Sequence, residues 1–181
     1  MREERRNHNQ GMSLAETLAA ILIMSLAGLM ITSSVVAYIR SWNRLTNKAN
    51  AEMLVSTLQI RMQDELQFAT SVHVDSDGNV NWFAADSTGE AEAFVPGDKD
   101  SAFGIRRSKN PGALETADKE DFISDAMADN GMYGTYDSLT YDGTTHLFTI
   151  TGLSARDASG DVLYQIDSIK IKNLNDAAVN E

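Results

Sequence analysis

A single carboxylate, Glu16, stands at the front edge of the longest uncharged stretch in this 181-residue chain. From Thr17 to Ile39 the sequence runs for 23 residues without a charged side chain. An ionisable residue at the centre of a membrane helix costs about 2.5–3.5 kcal/mol, so one inside or at the edge of such a helix is by default a functional-site hypothesis. Glu16 therefore needs a partner, and the amino end of a helix favours an anion.

A second group of candidate functional residues has oxygen-bearing side chains at alternate positions: Asp75, Asp77 and Asn79. Hard oxygen ligands of this kind suit Ca²⁺. The EF-hand pattern fails here, because the sixth position counted from Asp75 is Val80 rather than Gly and the twelfth is Asp86 rather than Glu. We expect a turn at this place and no cofactor, with Ca²⁺ at these three residues as the alternative.

The sequence carries no motif typical of an enzyme. The three histidines, His8, His73 and His146, stand apart from any nucleophile motif, and there is no Gly-x-Ser-x-Gly, phosphate-binding Gly-rich loop or His-Glu-x-x-His. The chain has no cysteine, which excludes disulfides, Cys-ligated metals and thiol nucleophiles. The sequence therefore predicts a protein that is not an enzyme.

Charge and hydropathy divide the chain into four segments: a charged leader at 1–11, an apolar helix at 12–39, an amphipathic continuation at 40–68 and a head at 69–181. A membrane-spanning helix needs roughly 20 apolar residues, so the apolar segment is long enough to cross a bilayer. The head holds 20 acidic against 8 basic residues, and the whole chain has a net charge of −11. This acidity argues against binding nucleic acid, which requires clustered Lys and Arg.

Helical periodicity continues beyond the apolar run. Tyr38, Trp42 and the cations Arg40, Arg44 and Lys48 form an interfacial collar of aromatic and basic residues. One arc of the following helix is apolar and is predicted to face a core; it comprises Ala51, Leu54, Val55, Leu58, Met62, Leu66 and Ala69. We expect one helix from Met12 to about Phe68, because no Gly or Pro occurs between Gly28 and Gly78.

The head is predicted to be a β-sheet. Hairpins are expected around 75–79 and 142–145, followed by a strand from Val162 to Ile171. The apolar parity of this strand switches between Ile166 and Ile169, which suggests a β-bulge near Asp167-Ser168. Between the hairpins we expect a short helix over Glu115–Met127, with Phe122, Ile123 and Met127 facing inward, and an exposed loop over Gly97–Gly112. The predicted fold class is α+β, with the second half of a long N-terminal helix packed on an antiparallel sheet.

The segment Gly11-Met12-Ser13-Leu14-Ala15-Glu16 resembles the processing motif of the type IV pilin and pseudopilin superfamily, in which the leader ends in Gly and the mature chain carries Glu at its fifth position. Counted from Met12, Glu16 is the fifth residue. The commonest first mature residue in that family is Phe, so Met12 favours a minor pilin or pseudopilin over the abundant subunit. The predicted helix and head match the pilin-like architecture that this resemblance implies.

The resemblance implies that a prepilin peptidase cuts between Gly11 and Met12 and that Met12 is then N-methylated. A cut there would place an α-amine four residues before Glu16 on the same helix face, and the amine could instead meet Glu16 of an adjacent subunit. In the family this intersubunit pairing sets the assembly register. The implied partners are the prepilin peptidase, other pilin or pseudopilin subunits, an inner-membrane assembly platform and membrane lipid.

The implied function is that of a structural subunit of a type IV pilus, or of a type II secretion or competence pseudopilus. It would span the cytoplasmic membrane once with its head outside, and would lie in a cell-surface or periplasmic filament after assembly. Two alternatives stay open: a membrane-tethered binding or adhesive domain that is not assembled, and a secreted hydrolase, which would need a catalytic constellation that the sequence does not show. A cleaved secretory signal fits poorly, because the apolar run exceeds the usual 7–15 residues.

Overall fold

The computed structural model describes residues 13–85, 90–98, 104–109, 119–122 and 131–180. It has the predicted α+β class and divides into two compact units, Met1–Leu45 and Thr46–Glu181. The described elements are, in chain order, α1 (Leu14–Gln67), β1 (Ser71–Val74), β2 (Val80–Ala84), β3 (Ala91–Val95), β4 (Arg106–Ser108), β5 (Lys119–Asp121), β6 (Met132–Thr135), β7 (Ser138–Asp142), β8 (Leu147–Asp157), β9 (Val162–Lys172) and β10 (Ala178–Asn180).

Helix α1 is continuous from Leu14 to Gln67, as its freedom from Pro and its apolar periodicity predict. In the second unit its buried residues are those of the predicted stripe: Ala51, Leu54, Val55, Leu58, Met62 and Leu66, followed by Ala69 beyond the helix end. They join one core with side chains from the strands, among them Phe83, Phe148 and Ile150. Each large apolar side chain buried in this way contributes about 1.5–3 kcal/mol.

The described part of the head holds two sheets rather than the single antiparallel sheet predicted from the sequence. A six-stranded sheet has the order β10-β1-β2-β3-β4-β5, and β10 lies parallel to β1, so this sheet is mixed. The parallel pair joins residues more than 100 positions apart, Ser71 with Ala178, and local periodicity carries no information about such a contact. The predicted first hairpin is confirmed, since β1 and β2 pair antiparallel across residues 75–79.

Strand β8 organises the second, antiparallel sheet. It pairs with β9 over nearly its whole length, so β6 and β7 share its opposite edge. The predicted hairpin across residues 142–145 and the long last strand are both confirmed. A backbone bridge between Asn79 and Thr140 connects this sheet to the β1–β2 turn.

The bulge predicted near Asp167-Ser168 is wrong. The β8–β9 register is the same before and after these residues, and it shifts instead between Ala155 and Arg156. The switch of apolar parity that suggested a bulge arises opposite Gly152, whose φ of 63° turns β8 without adding a residue.

Two further predictions fail between the hairpins. Lys119–Asp121, inside the predicted helix over Glu115–Met127, forms strand β5, and β4 lies inside the predicted loop over Gly97–Gly112. Ile105 is buried, so that loop is not wholly exposed. Phe122 is buried as predicted. The remaining residues of the predicted helix and part of the predicted loop lie outside the described residues.

Candidate functional site

Glu16 lies in the first turn of α1 and is held by Ser13. The Glu16 Oε2 accepts hydrogen bonds from the Ser13 backbone N–H at 2.9 Å and from its hydroxyl at 3.2 Å, while the Glu16 N–H donates to Ser13 Oγ at 3.3 Å. This reciprocal arrangement is a capping box, which satisfies donors left open at a helix start. This capping box was not predicted, although the Ser-x-x-Glu spacing is its signature in the sequence.

The capping box changes the expectation for Glu16, because its own chain already supplies hydrogen-bond donors for the carboxylate. Both Ser13 groups are uncharged, and no cation among the described residues forms an ion pair with Glu16. Gly11 and Met12, the predicted cleavage and methylation residues, lie outside the described residues. The pairing of Glu16 with the Met12 amine therefore stays a prediction.

The first part of α1 is long and apolar enough to cross a membrane, and none of its apolar window is buried by protein. Large apolar side chains are exposed on all sides of it: Leu14, Leu18, Ile21, Leu22, Ile23, Met24, Leu26, Leu29, Met30, Ile31, Val35, Val36 and Ile39. An apolar surface of this kind is covered in a functioning protein, either by lipid or by other protein.

The hydroxyl groups of the apolar run are satisfied within the helix. Five Ser and Thr side chains donate at 2.7–2.9 Å to carbonyl oxygens three or four residues earlier: Thr17, Ser25, Thr32, Ser33 and Ser34. Such bonds remove the cost of placing a hydroxyl in hydrocarbon. The run therefore contains no hydroxyl of Ser or Thr that requires water.

The Ca²⁺ candidates Asp75, Asp77 and Asn79 come together as a turn. Asp75 Oδ1 accepts from the backbone N–H groups of Asp77 at 2.9 Å and Asn79 at 2.8 Å, and Oδ2 accepts from Asn79 Nδ2 at 3.0 Å. The side-chain hydrogen bond from Asn79, together with these backbone bonds, lowers the pKa of Asp75. Among the described residues no group of three or more His, Asp or Glu side chains is arranged to hold a metal ion.

A charged cluster around Arg107 has no counterpart in the sequence analysis. Its guanidinium lies 3.1 Å from Glu65 of α1, 3.5 Å from Glu92 of β3 and 3.2 Å from Glu120. Partial burial alone would lower the pKa of Arg107, but the hydrogen bond to Glu120 and the neighbouring carboxylates outweigh burial and raise it. Because neither β4 nor β5 was predicted, no sequence signal could bring these residues together.

An open groove of about 420 Å³ lies beside this cluster, lined by Thr57, Ile60, Arg61, Asp64, Glu65 and Phe122. It carries two carboxylates and one guanidinium, so its charge does not favour an anionic ligand.

Tyr141, His146 and Asp176 form a chain of polar contacts. The Tyr141 hydroxyl lies 3.2 Å from His146 Nδ1, and His146 Nε2 lies 3.8 Å from Asp176 Oδ1. Burial, together with the charges of Asp176 and Asp142, raises the pKa of Tyr141. The Tyr141 hydroxyl also donates to the Ala177 carbonyl at 3.4 Å, so these contacts connect β7 to the segment before β10.

Comparison of the chain with known protein families, with curated proteins and with solved structures found no match.

Proposed function

We propose that this chain is a pilin-like structural subunit, a minor pilin or pseudopilin, made as a precursor and cut between Gly11 and Met12. The mature chain, methylated on Met12, would be stored in the cytoplasmic membrane through the apolar part of α1, with residues 69–181 outside. An assembly platform would then add it to a type IV pilus or to a secretion or competence pseudopilus.

The observation that carries this proposal is the position of Glu16. It is the fifth residue counted from Met12, and it lies in the first turn of a helix whose following apolar surface is fully exposed. A carboxylate that moves into an apolar environment, as it would among the packed helices of a filament, is costly unless a cation meets it. A new amine on Met12, in this or a neighbouring subunit, supplies that cation without adding a residue to the chain.

The exposed apolar surface supports the same proposal. Lipid tails and apolar helix faces are alike in polarity, so one surface serves both in a bilayer and among the helices of a filament. Transfer between the two environments then depends on packing and on the Glu16 charge rather than on a change of fold.

The capping box permits an experiment that separates the charge of Glu16 from its structural role. Glu16→Gln removes the charge but keeps an acceptor for Ser13, because Gln also serves in a capping box. Ser13→Ala removes the capping hydroxyl and keeps the charge. Each variant is expressed in cells that make the filament, and two quantities are measured: the protein in the alkali-resistant membrane fraction and the protein in sheared filaments.

We expect Glu16→Ala and Glu16→Gln to enter the membrane as the parent does and to be absent from filaments. Ser13→Ala should enter both fractions. Normal amounts of Glu16→Gln in filaments would refute the registry role of the charge, and its loss from membranes would show that Glu16 acts in insertion instead.

A further inference from the structure

Two arginines follow the apolar run on one side of α1. Arg40 and Arg44 are both exposed and lie four residues apart, which places them on the same helix face. Among the described residues no carboxylate forms an ion pair with either guanidinium. The nearest acidic residues along the helix are Glu16 and Glu52, so the charge between them is positive only.

The length of the apolar run fixes the depth of these arginines in a membrane. Twenty-three helical residues at about 1.5 Å each extend about 35 Å, slightly more than the roughly 30 Å of hydrocarbon. When Thr17 lies at the opposite boundary, Arg40 lies about 5 Å and Arg44 about 10 Å beyond the hydrocarbon. Arg40 is then at the level of the lipid headgroups and Arg44 is at their outer edge. Tyr38 and Trp42 stack at 6.2 Å between ring centroids at the same depth, where aromatic side chains anchor a span.

The two arginines differ in charge from the acidic sequence that follows them. Residues 52–181 contain 23 acidic and 9 basic residues, so an anionic membrane surface repels them. A guanidinium pair matches the geometry of a phosphate, to which Arg binds through two parallel hydrogen bonds.

We propose that Arg40 and Arg44 form a binding surface for the headgroup of an anionic phospholipid. This rests on the membrane-spanning part of the proposed function and not on cleavage or filament assembly. The exposed arginines, their depth and the absence of a nearby carboxylate favour a lipid phosphate over a carboxylate of another protein.

The test uses the full chain in a nonionic detergent, titrated separately with dioleoyl phosphatidylglycerol and dioleoyl phosphatidylcholine, with bound lipid counted by native mass spectrometry. The measured quantity is the ratio of the two dissociation constants. The test variant is Arg40→Gln/Arg44→Gln. Its matched control is Arg61→Gln/Lys170→Gln, which makes the same change in net charge at exposed positions outside the collar.

We expect the parent to prefer phosphatidylglycerol, and the test variant to lose about five-fold or more of that preference, since each interfacial cation contributes roughly a factor of five. The control should keep the parent ratio, and Arg40→Lys/Arg44→Lys should keep part of it, while helix content by circular dichroism stays unchanged. An equal ratio in parent and test variant would overturn the proposal, as would an equal loss in the control.

Arginines that instead meet a protein carboxylate would give a different pattern: no loss of lipid preference in the test variant, with its loss from filaments in cells. That outcome also overturns the proposal. Because the titration involves neither peptidase nor assembly platform, failure of the proposed pilin-like function would leave its result unchanged.

Discussion

The side-chain amide of Asn173 donates a hydrogen bond to the backbone carbonyl of Leu66 at 3.1 Å, although 107 positions separate the two residues. The same Nδ2 donates to the Ala69 carbonyl at 2.9 Å, and Oδ1 accepts from the N–H groups of Asn175 and Ala177. Only 1% of Asn173 is exposed. This one amide therefore satisfies carbonyls left open at the end of α1 and fixes the turn that leads into β10.

Asn173→Asp should destabilise the head more than a conservative substitution at any exposed position of the head. An aspartate cannot donate to the carbonyls of Leu66 and Ala69, and it would place a buried charge against their oxygens. Asn173→Ala removes the donor to the Ala69 carbonyl and the acceptor for the N–H groups of Asn175 and Ala177, at about 1–3 kcal/mol for each buried group left unpaired. The Leu66 carbonyl keeps the 3.4 Å bond from the Ala69 N–H. Urea unfolding of the detergent-solubilised chain, followed by tryptophan fluorescence, measures both variants. Asn175→Ala is the control, because Asn175 is exposed and bonds only the Phe68 carbonyl through its side chain; an equal loss in the control would contradict the capping role.

Gly104→Ala and Gly131→Ala separate backbone strain from a steric clash. Both glycines have positive φ, 76° and 65°, so alanine costs about 1–2 kcal/mol at either position. A Cβ on Gly104 would also collide with the backbone of Gly134, whereas a Cβ on Gly131 meets nothing within 4 Å. We expect the free energy of unfolding to fall clearly further for Gly104→Ala. Equal losses would mean that the close approach of Gly104 and Gly134 does not contribute.

Acid should weaken the head through three carboxylates, two of them exposed and one, Asp75, half-buried. Hydrogen bonds from the side chains of Asn79, Thr145 and Lys109 lower the pKa values of Asp75, Asp142 and Glu120 respectively. A lowered pKa contributes stability that is present above the ordinary values of 3.8 for Asp and 4.5 for Glu, and that is lost as the pH falls below them. The urea midpoint should therefore decrease between pH 5 and about pH 3. The urea midpoint of the variant Asp75→Asn/Asp142→Asn should decrease less steeply as the pH falls. A pH dependence identical to that of the parent would show that these turns do not couple to folding.

Alkali should weaken the head through Tyr136. Its hydroxyl donates to the Phe94 carbonyl at 2.8 Å, and burial raises its pKa above the ordinary value of 10. A raised pKa contributes stability that is present below pH 10 and is lost as the pH rises further, because only the unfolded chain ionises readily. Tyr136→Phe should be less stable than the parent at pH 8 by about 1 kcal/mol, for the lost hydrogen bond, and less sensitive to pH above 10. Parallel pH profiles of the two proteins would contradict this account.

Local periodicity was sufficient to predict the part of the fold that local interactions specify. The buried stripe from Ala51 to Ala69 and the two hairpins follow from helical and alternating patterns with turn residues between them. Strands β4 and β5 were missed because each has only three residues and pairs across a long connection. The Arg107 cluster and the Asn173 cap depend on contacts between distant segments, which no spacing in the sequence reveals. For the candidate site the sequence identified Glu16 but not Ser13, although the Ser-x-x-Glu signal was present.

The central claim is that the chain is cut after Gly11 and enters a filament as a pilin-like subunit. Intact-mass and N-terminal peptide mass spectrometry on protein purified from its native membranes tests it most directly. We predict a mature chain that begins at Met12 and carries one added methyl group. A chain that retains Met1 would contradict the claim and identify a membrane-tethered domain instead.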